Sequence, residues 1–107
     1  MIIYSVTVRV DEPIAQDWKK WMAEQHIPDV MATGKFLEYR MCQVMVETEE
    51  GGISYNIQYV CQDEETLNDY AKNHAPALQK DHNERYAGKF NAFRTMLEVI
   101  DHNSKAL

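Results

Sequence analysis

Two histidines, His26 and His74, each stand two residues before a proline, in His26-Ile27-Pro28 and His74-Ala75-Pro76. An imidazole titrates near neutral pH and can take a proton from an acidic substrate, while a proline within a helical run frees backbone groups and bends the chain. Each histidine is therefore a candidate general base. The competing role is structural, with each imidazole capping carbonyls freed at its own proline. Arg40 and Arg94 follow Gly34-Lys35-Phe36 and Gly88-Lys89-Phe90 at the same offset. Their guanidinium groups could grip a carboxylate or enolate, or simply pair with neighbouring acids such as Glu38 and Glu98. Tyr4 and Tyr55 are candidate ligand contacts and orienting groups, because a buried phenol needs a hydrogen-bond partner and His26 or His74 is a natural one. Trp18 and Trp21 could wall an aromatic pocket, although their helical spacing with Ile14 and Met22 reads as core.

Other chemistries find no support. The chain has no phosphate-binding loop, nucleophile elbow or CxxC motif. Two histidines on different helices with no obvious third ligand define no metal site, and no tightly held cofactor is expected. Lys plus Arg number 11 against 17 Asp plus Glu, a formal charge of −6. That sign argues against nucleic acid or an anionic membrane as the main partner, since both demand a basic surface. Cys42 and Cys61 are too few for a disulfide framework and lack zinc-type spacing, so free thiols are expected. The opening residues alternate as a strand and do not form the apolar run of a leader, which leads us to expect a cytoplasmic location.

These candidates must be positioned by secondary structure. Ile2, Tyr4, Val6, Val8 and Val10 alternate with more polar residues, the period of a half-buried strand. Asp11 reads as an N-cap ahead of Glu12 and Pro13, and Ile14, Trp18, Trp21 and Met22 then mark an amphipathic helix that should stop or kink near His26. A strand from about Phe36 to Glu47, a turn at Glu49-Glu50-Gly51-Gly52 and a strand from Ile53 to Cys61 follow. Pairing Thr48 with Ile53, Val46 with Tyr55, Val44 with Ile57 and Cys42 with Tyr59 gathers apolar residues on one side. Asp63 caps a second helix, striped by Leu67, Tyr70, Ala71, His74 and Leu78 and interrupted at Pro76; a last strand runs from about Phe90 to Ile100, and the polar tail is expected to fray.

The two halves answer each other. Ile2, Tyr4 and Val6 match Ile53, Tyr55 and Ile57; Met22-Ala23 through His26-Ile27-Pro28 match Tyr70-Ala71 through His74-Ala75-Pro76; both halves exit through Gly-Lys-Phe. An internal repeat of a strand-helix-strand unit predicts an α+β, ferredoxin-like βαββαβ domain over residues 1–107, with a four-stranded antiparallel sheet and both helices on one face. The opposite face would carry Met41, Gln43, Met45, Asn56, Gln58, Val60, Ser5 and Thr7. A half-apolar open face rich in methionine suits a homodimer packed sheet on sheet.

The stretch Trp18-Lys19-Lys20-Trp21-Met22 through His26-Ile27-Pro28-Asp29-Val30 to Gly34-Lys35-Phe36 resembles a bacterial family of small proteins of unknown function within the dimeric α/β-barrel superfamily, and the similarity covers nearly the whole chain. That resemblance implies two βαββαβ subunits packed into one barrel, with pockets between sheet and helices. Members of the superfamily include cofactor-independent monooxygenases, lactone isomerases, aldoxime dehydratases and haem-degrading enzymes. The shared scaffold supports the fold more than any one reaction.

Two functional readings follow. In one, the chain is a non-catalytic dimer, a ligand sensor or assembly partner, in which the proline breaks serve packing; duplication accounts for every paired residue without chemistry, which tilts the sequence slightly this way. In the other it is a cofactor-independent enzyme, monooxygenase- or isomerase-like, acting on a small aromatic or acidic molecule through His26 or His74, a tyrosine and Arg40 or Arg94. The enzyme requires a pocket of roughly 300 Å³ or more between helices and sheet. RNA-recognition-type binding, which shares the element order, lacks basic charge and stacking aromatics.

Overall fold

The computed structural model describes residues 1–46 and 50–103. Strand β1 (Ile2–Val10) leads through a 3₁₀ turn (Glu12–Ile14) into helix α1 (Ala15–Trp21), a π-helical turn (Met22–His26) and helix α2 (Ile27–Ala32). Strands β2 (Glu38–Gln43) and β3 (Ile53–Cys61) follow, then helices α3 (Glu64–Asn73) and α4 (Ala75–Arg85) and strand β4 (Phe90–Glu98). The sheet order is β2-β3-β1-β4 and every pairing is antiparallel. This is the ferredoxin-like βαββαβ arrangement.

Alternation in β1 and β3 sets the layers. Tyr4, Val8 and Val10 of β1 and Tyr55, Ile57, Tyr59 and Cys61 of β3 are buried with Trp18, Met22, Ile27 and Val30 from the first helical run and Leu67 and Tyr70 from α3. Both helical layers therefore cover the same side of the sheet. Trp18 is wholly buried and stacks on Tyr55 with ring centres 4.9 Å apart. Large side chains of this kind each contribute on the order of 2–3 kcal/mol through burial.

The helix ends differ from expectation at Asp11. Asp63 does cap α3, its Oδ1 accepting the Thr66 N–H at 2.8 Å. Asp11 does not cap with its side chain; its carboxylate instead takes both terminal nitrogens of Arg9, at 3.1 Å each. The irregularity expected near His26 is a π turn, after which the helix resumes at Ile27. The Ile27 N–H reaches back five residues to the Met22 carbonyl, and this widened turn carries the helix past the proline with its missing donor.

The β2–β3 register also differs. Tyr39 pairs with Tyr59, Met41 with Ile57 and Cys42 with Asn56, an offset of three residues from the expected pairing. An odd offset exchanges the faces of β2. Met41 is thus on the helix side, packed against the core, and Gln43 shares that side opposite Tyr55; Met45 lies beyond the strand. Several local pairings gather apolar residues, and the expected one assumed a tight turn, whereas β2 ends at Gln43 and β3 starts at Ile53. The expected Thr48–Ile53 pair, strand end at Glu47 and turn residue Glu49 lie outside the described residues, as do the last four of the tail.

The outer face consequently carries Cys42, Asn56, Thr7 and Phe93 in one cross-strand row, with Ser5 and Leu97 in the rows beyond. Asn56 Nδ2 donates to Ser5 Oγ at 2.9 Å and to Thr7 Oγ1 at 3.0 Å, tying β3 to β1. Cys42 and Cys61 are both free thiols, as expected, and lie on opposite faces of the sheet. Among the described residues no helix is long and apolar enough to cross a membrane.

Candidate functional site

Between sheet and helices the core is incomplete. A cavity of about 280 Å³ opens there, floored by Val6 and Ile57 and roofed by Met22 and Val30, with polar groups converging from His26, His82, Arg94 and Tyr4. Each arrives from a different element: the π turn, α4, β4 and β1. π-Helical turns recur at functional sites because the extra residue re-aims the side chains around it. Here the turn ends on His26.

The His26 ring packs against Trp21, 5.3 Å between ring centres, and faces His82 at 5.8 Å. Burial, with smaller contributions from His82 and Arg94, lowers its pKa to about 4 against the pull of Asp29 and Asp81. The imidazole is therefore neutral at physiological pH, as a base must be. No hydrogen bond engages its ring nitrogens among the described residues, and it caps neither flanking turn. The capping role is thus not what the geometry shows.

His82 is more deeply buried, and its Nε2 accepts the Trp18 indole N–H at 2.9 Å. Its pKa is also lowered, chiefly by burial and also by Arg94, with the neighbouring Asn83 opposing. The Phe90 ring stands edge-on to it at 4.5 Å. Sequence reasoning passed over this residue. Its signal was the helical spacing of His74, Leu78, His82 and Tyr86, which continues the apolar stripe beyond the proline.

Arg94 Nε donates to the Tyr4 hydroxyl at 2.9 Å. Among the described residues no carboxylate lies within 4 Å of its guanidinium, so the expected pairing with Glu98 does not form. Tyr4 is held in turn by Phe36, Tyr59 and Tyr70, with ring centres 5.8 to 6.1 Å away. Burial, reinforced by neighbouring phenols, pushes the Tyr59 and Tyr70 hydroxyls well above the usual tyrosine range, so both stay protonated donors. A solvated cationic guanidinium beside a neutral imidazole can hold an anion and receive its proton.

The structure thus brings Tyr4, His26 and Arg94 together and leaves His74, Tyr55 and Arg40 apart. His74 sits at the α3–α4 junction stacked on Tyr70 at 6.2 Å, outside the cavity wall. Tyr55 packs on Trp18, and its buried hydroxyl has no hydrogen-bond partner among the described residues. Arg40 pairs with Gln58 on the outer face, exposed and without the expected ion pair to Glu38. Tyr4 takes its hydrogen bond from Arg94 and not from a histidine. Among the described residues no group of three or more His, Cys, Asp or Glu is placed to hold a metal ion.

Solved structures share this fold at low identity. HapK from Hahella chejuensis superposes with a TM-score of 0.74 at 8% identity, covering 99% of each chain. SnoaB, a cofactor-independent oxygenase from Streptomyces nogalater, gives 0.68 at 10% identity over 97% of each chain. The haem-degrader MhuD from Mycobacterium tuberculosis, with two haems in its active site, gives 0.68 at 15% identity over 97% of this chain and all of its own. These likenesses show a shared ferredoxin-like fold. No curated protein matches the chain in sequence. One family does, a domain of unknown function matched by residues 1–100, and the chain accordingly belongs to the DUF4286 family.

Proposed function

We propose that the chain is a cofactor-independent enzyme whose cavity takes a small, flat, acidic compound. His26 removes a proton from it, and Arg94, steadied by Tyr4, holds the resulting oxyanion. The single observation that carries this reading is a neutral imidazole with no hydrogen-bond partner among the described residues, lining the same cavity as a guanidinium with no carboxylate partner among them. The volume, about 280 Å³, falls just under the usual range of ligand pockets, roughly 300–1,000 Å³, and has room for no more than a single-ring compound.

The proposed step balances. An acidic C–H bond breaks, the proton goes to His26, and the electron pair stays on the substrate as an enolate whose charge Arg94 offsets. Return of the proton to a different carbon completes an isomerisation. With dioxygen as co-substrate, the same carbanion leads from CH₂ to a carbonyl, the second oxygen atom leaving as water. Fold kinship with an enzyme of the cofactor-independent oxygenase type supports this class without fixing the substrate.

One observation favours a second reading, that of a non-catalytic dimeric ligand sensor: burial lowers the His26 pKa to about 4, well below the near-neutral value that suits a general base. In either case a second copy would cover the outer face, where Phe93 and Leu97 are exposed. Benzoate and salicylate titrated into ¹⁵N-labelled protein, followed by exchange of the α-protons of a single-ring aryl ketone in D₂O, separate the cases. Shifts at His26 with catalysed exchange support the enzyme; shifts without exchange support the sensor; an unresponsive His26 ends both readings of the pocket.

A further inference from the structure

We infer that the Trp18–His82 hydrogen bond fixes His82 as the Nδ1–H tautomer and so divides the work of the two cavity imidazoles, leaving His26 to accept a proton and His82 to donate a hydrogen bond. The inference rests on the pocket reading above only where it concerns ligands. The lock itself stands on geometry alone.

An indole N–H can only donate. The nitrogen that accepts it must therefore present its lone pair, and that nitrogen is His82 Nε2, at 2.9 Å. A neutral imidazole carries its single proton on the other nitrogen, which here is Nδ1. Adding a proton to Nε2 would cost the indole bond and leave the Trp18 N–H without an acceptor, at a residue with no exposed surface. Stacking on Tyr55 and burial hold Trp18 in place, so the donor cannot swing away.

The ring nitrogens of an imidazole point away from each other. With Nε2 turned to Trp18, Nδ1–H is directed away from that indole. Asn83, which makes a side-chain hydrogen bond with His82, is the resting partner that a ligand's acceptor oxygen would replace, since both residues line the cavity that His26 also lines. A ligand that gives a proton to His26 is best complemented by an acceptor oxygen at His82, with its negative charge towards Arg94. His82 is a positioning and specificity residue in this arrangement, and His26 the base.

Long-range ¹H–¹⁵N correlation spectra of the full chain distinguish protonated from bare ring nitrogens directly. The expected result at neutral pH is a protonated Nδ1 and a bare Nε2 on His82, with Trp18→Phe shifting a measurable fraction of the proton to Nε2 in a chain that keeps its native spectral dispersion. A proton on Nε2 in the native chain overturns the lock, whatever the variant does. Binding of benzoate tests the donor: His82→Gln, which can both accept from Trp18 and donate, should stay within about threefold of native, while His82→Phe should weaken binding about tenfold, the worth of one hydrogen bond. Equal binding by His82→Phe overturns the donor role. A native chain that ignores benzoate defeats the pocket reading and the donor role together but leaves the tautomer result to be judged on its own spectrum.

Discussion

His26 and His82 confront each other across the cavity with ring centres 5.8 Å apart and ring planes inclined at 65°. One comes from the π turn and the other from α4, so folding alone creates the pair. Two imidazoles this close and this buried resist taking on positive charge, and the Arg94 cation adds to that resistance in both.

That arrangement makes stability depend on pH. His26 titrates at about 4 in the folded chain, against 6.5 for an unperturbed imidazole, so the unfolded state binds the proton more readily between those values. Its contribution is complete above about pH 6.5 and is lost as pH falls towards 4, amounting to about 3 kcal/mol at most. His82 is lowered too and acts with the same sign. Urea midpoints measured across this window should fall with acidification, and His26→Gln should flatten the slope. An unchanged slope in that variant would place the acid sensitivity elsewhere.

Arg94 is the anchor for negative charge. Arg94→Ala should weaken benzoate binding about 10- to 100-fold, the range for a charge-assisted contact, whereas Arg94→Lys should fall between, keeping the charge but losing the bond to Tyr4. Arg40→Ala, on the outer face of the sheet, should bind as the native chain does. Calorimetric titration of the three variants decides whether the two arginines are as unlike as their placement implies.

The element order and the layers were legible because strand alternation in β1 and β3 and the stripe of Trp18 and Met22 are strong periodic signals. The β2 register was not, since Met41 opposite Ile57 and the expected Val44 opposite Ile57 are nearly equivalent apolar pairs, and the loop that decides between them leaves little trace in sequence. In the candidate site, Arg94 and His26 were singled out from residue type and spacing, and the fold brings both to one cavity. Matching the halves also paired His26 with His74 and Arg94 with Arg40, but equivalence in sequence is not equivalence in space: on the two edge strands Arg40 falls on the outer face beside Gln58 and Arg94 on the helix side beside Val6. His82 was hidden because a histidine in an apolar stripe gives no sign of the indole it will meet.

The β2–β3 connection offers a sharper stability test. A Cβ at Gly52 would come within 2.5 Å of both Arg9 Nη1 and the Val10 carbonyl oxygen, at a φ of +76°. Gly34 has a similar φ, +73°, with open space around it. Gly34→Ala should therefore cost about 1–2 kcal/mol for backbone strain alone, and Gly52→Ala clearly more, because a backbone oxygen cannot move aside as a side chain can. Thermal unfolding of the two variants side by side should preserve that ranking; equal costs would mean that the hairpin shifts to admit the methyl group.

The corrected register also changes which residues a second copy would touch. Phe93 is 62% exposed and Leu97 45%, both on the outer face, while Met45, once assigned there, stands 98% exposed beyond the end of β2. If the chain pairs through its outer face, Phe93→Glu places a charge at the centre of a buried apolar contact and should yield monomers in sedimentation experiments, whereas Met45→Glu should leave the dimer intact. The reverse pattern would mean that copies meet along the β2 edge. Monomers in the native chain would leave Phe93 and Leu97 to a different partner, since an exposed apolar pair beside the polar Asn56, Ser5 and Thr7 cluster contributes nothing to the fold of one copy alone.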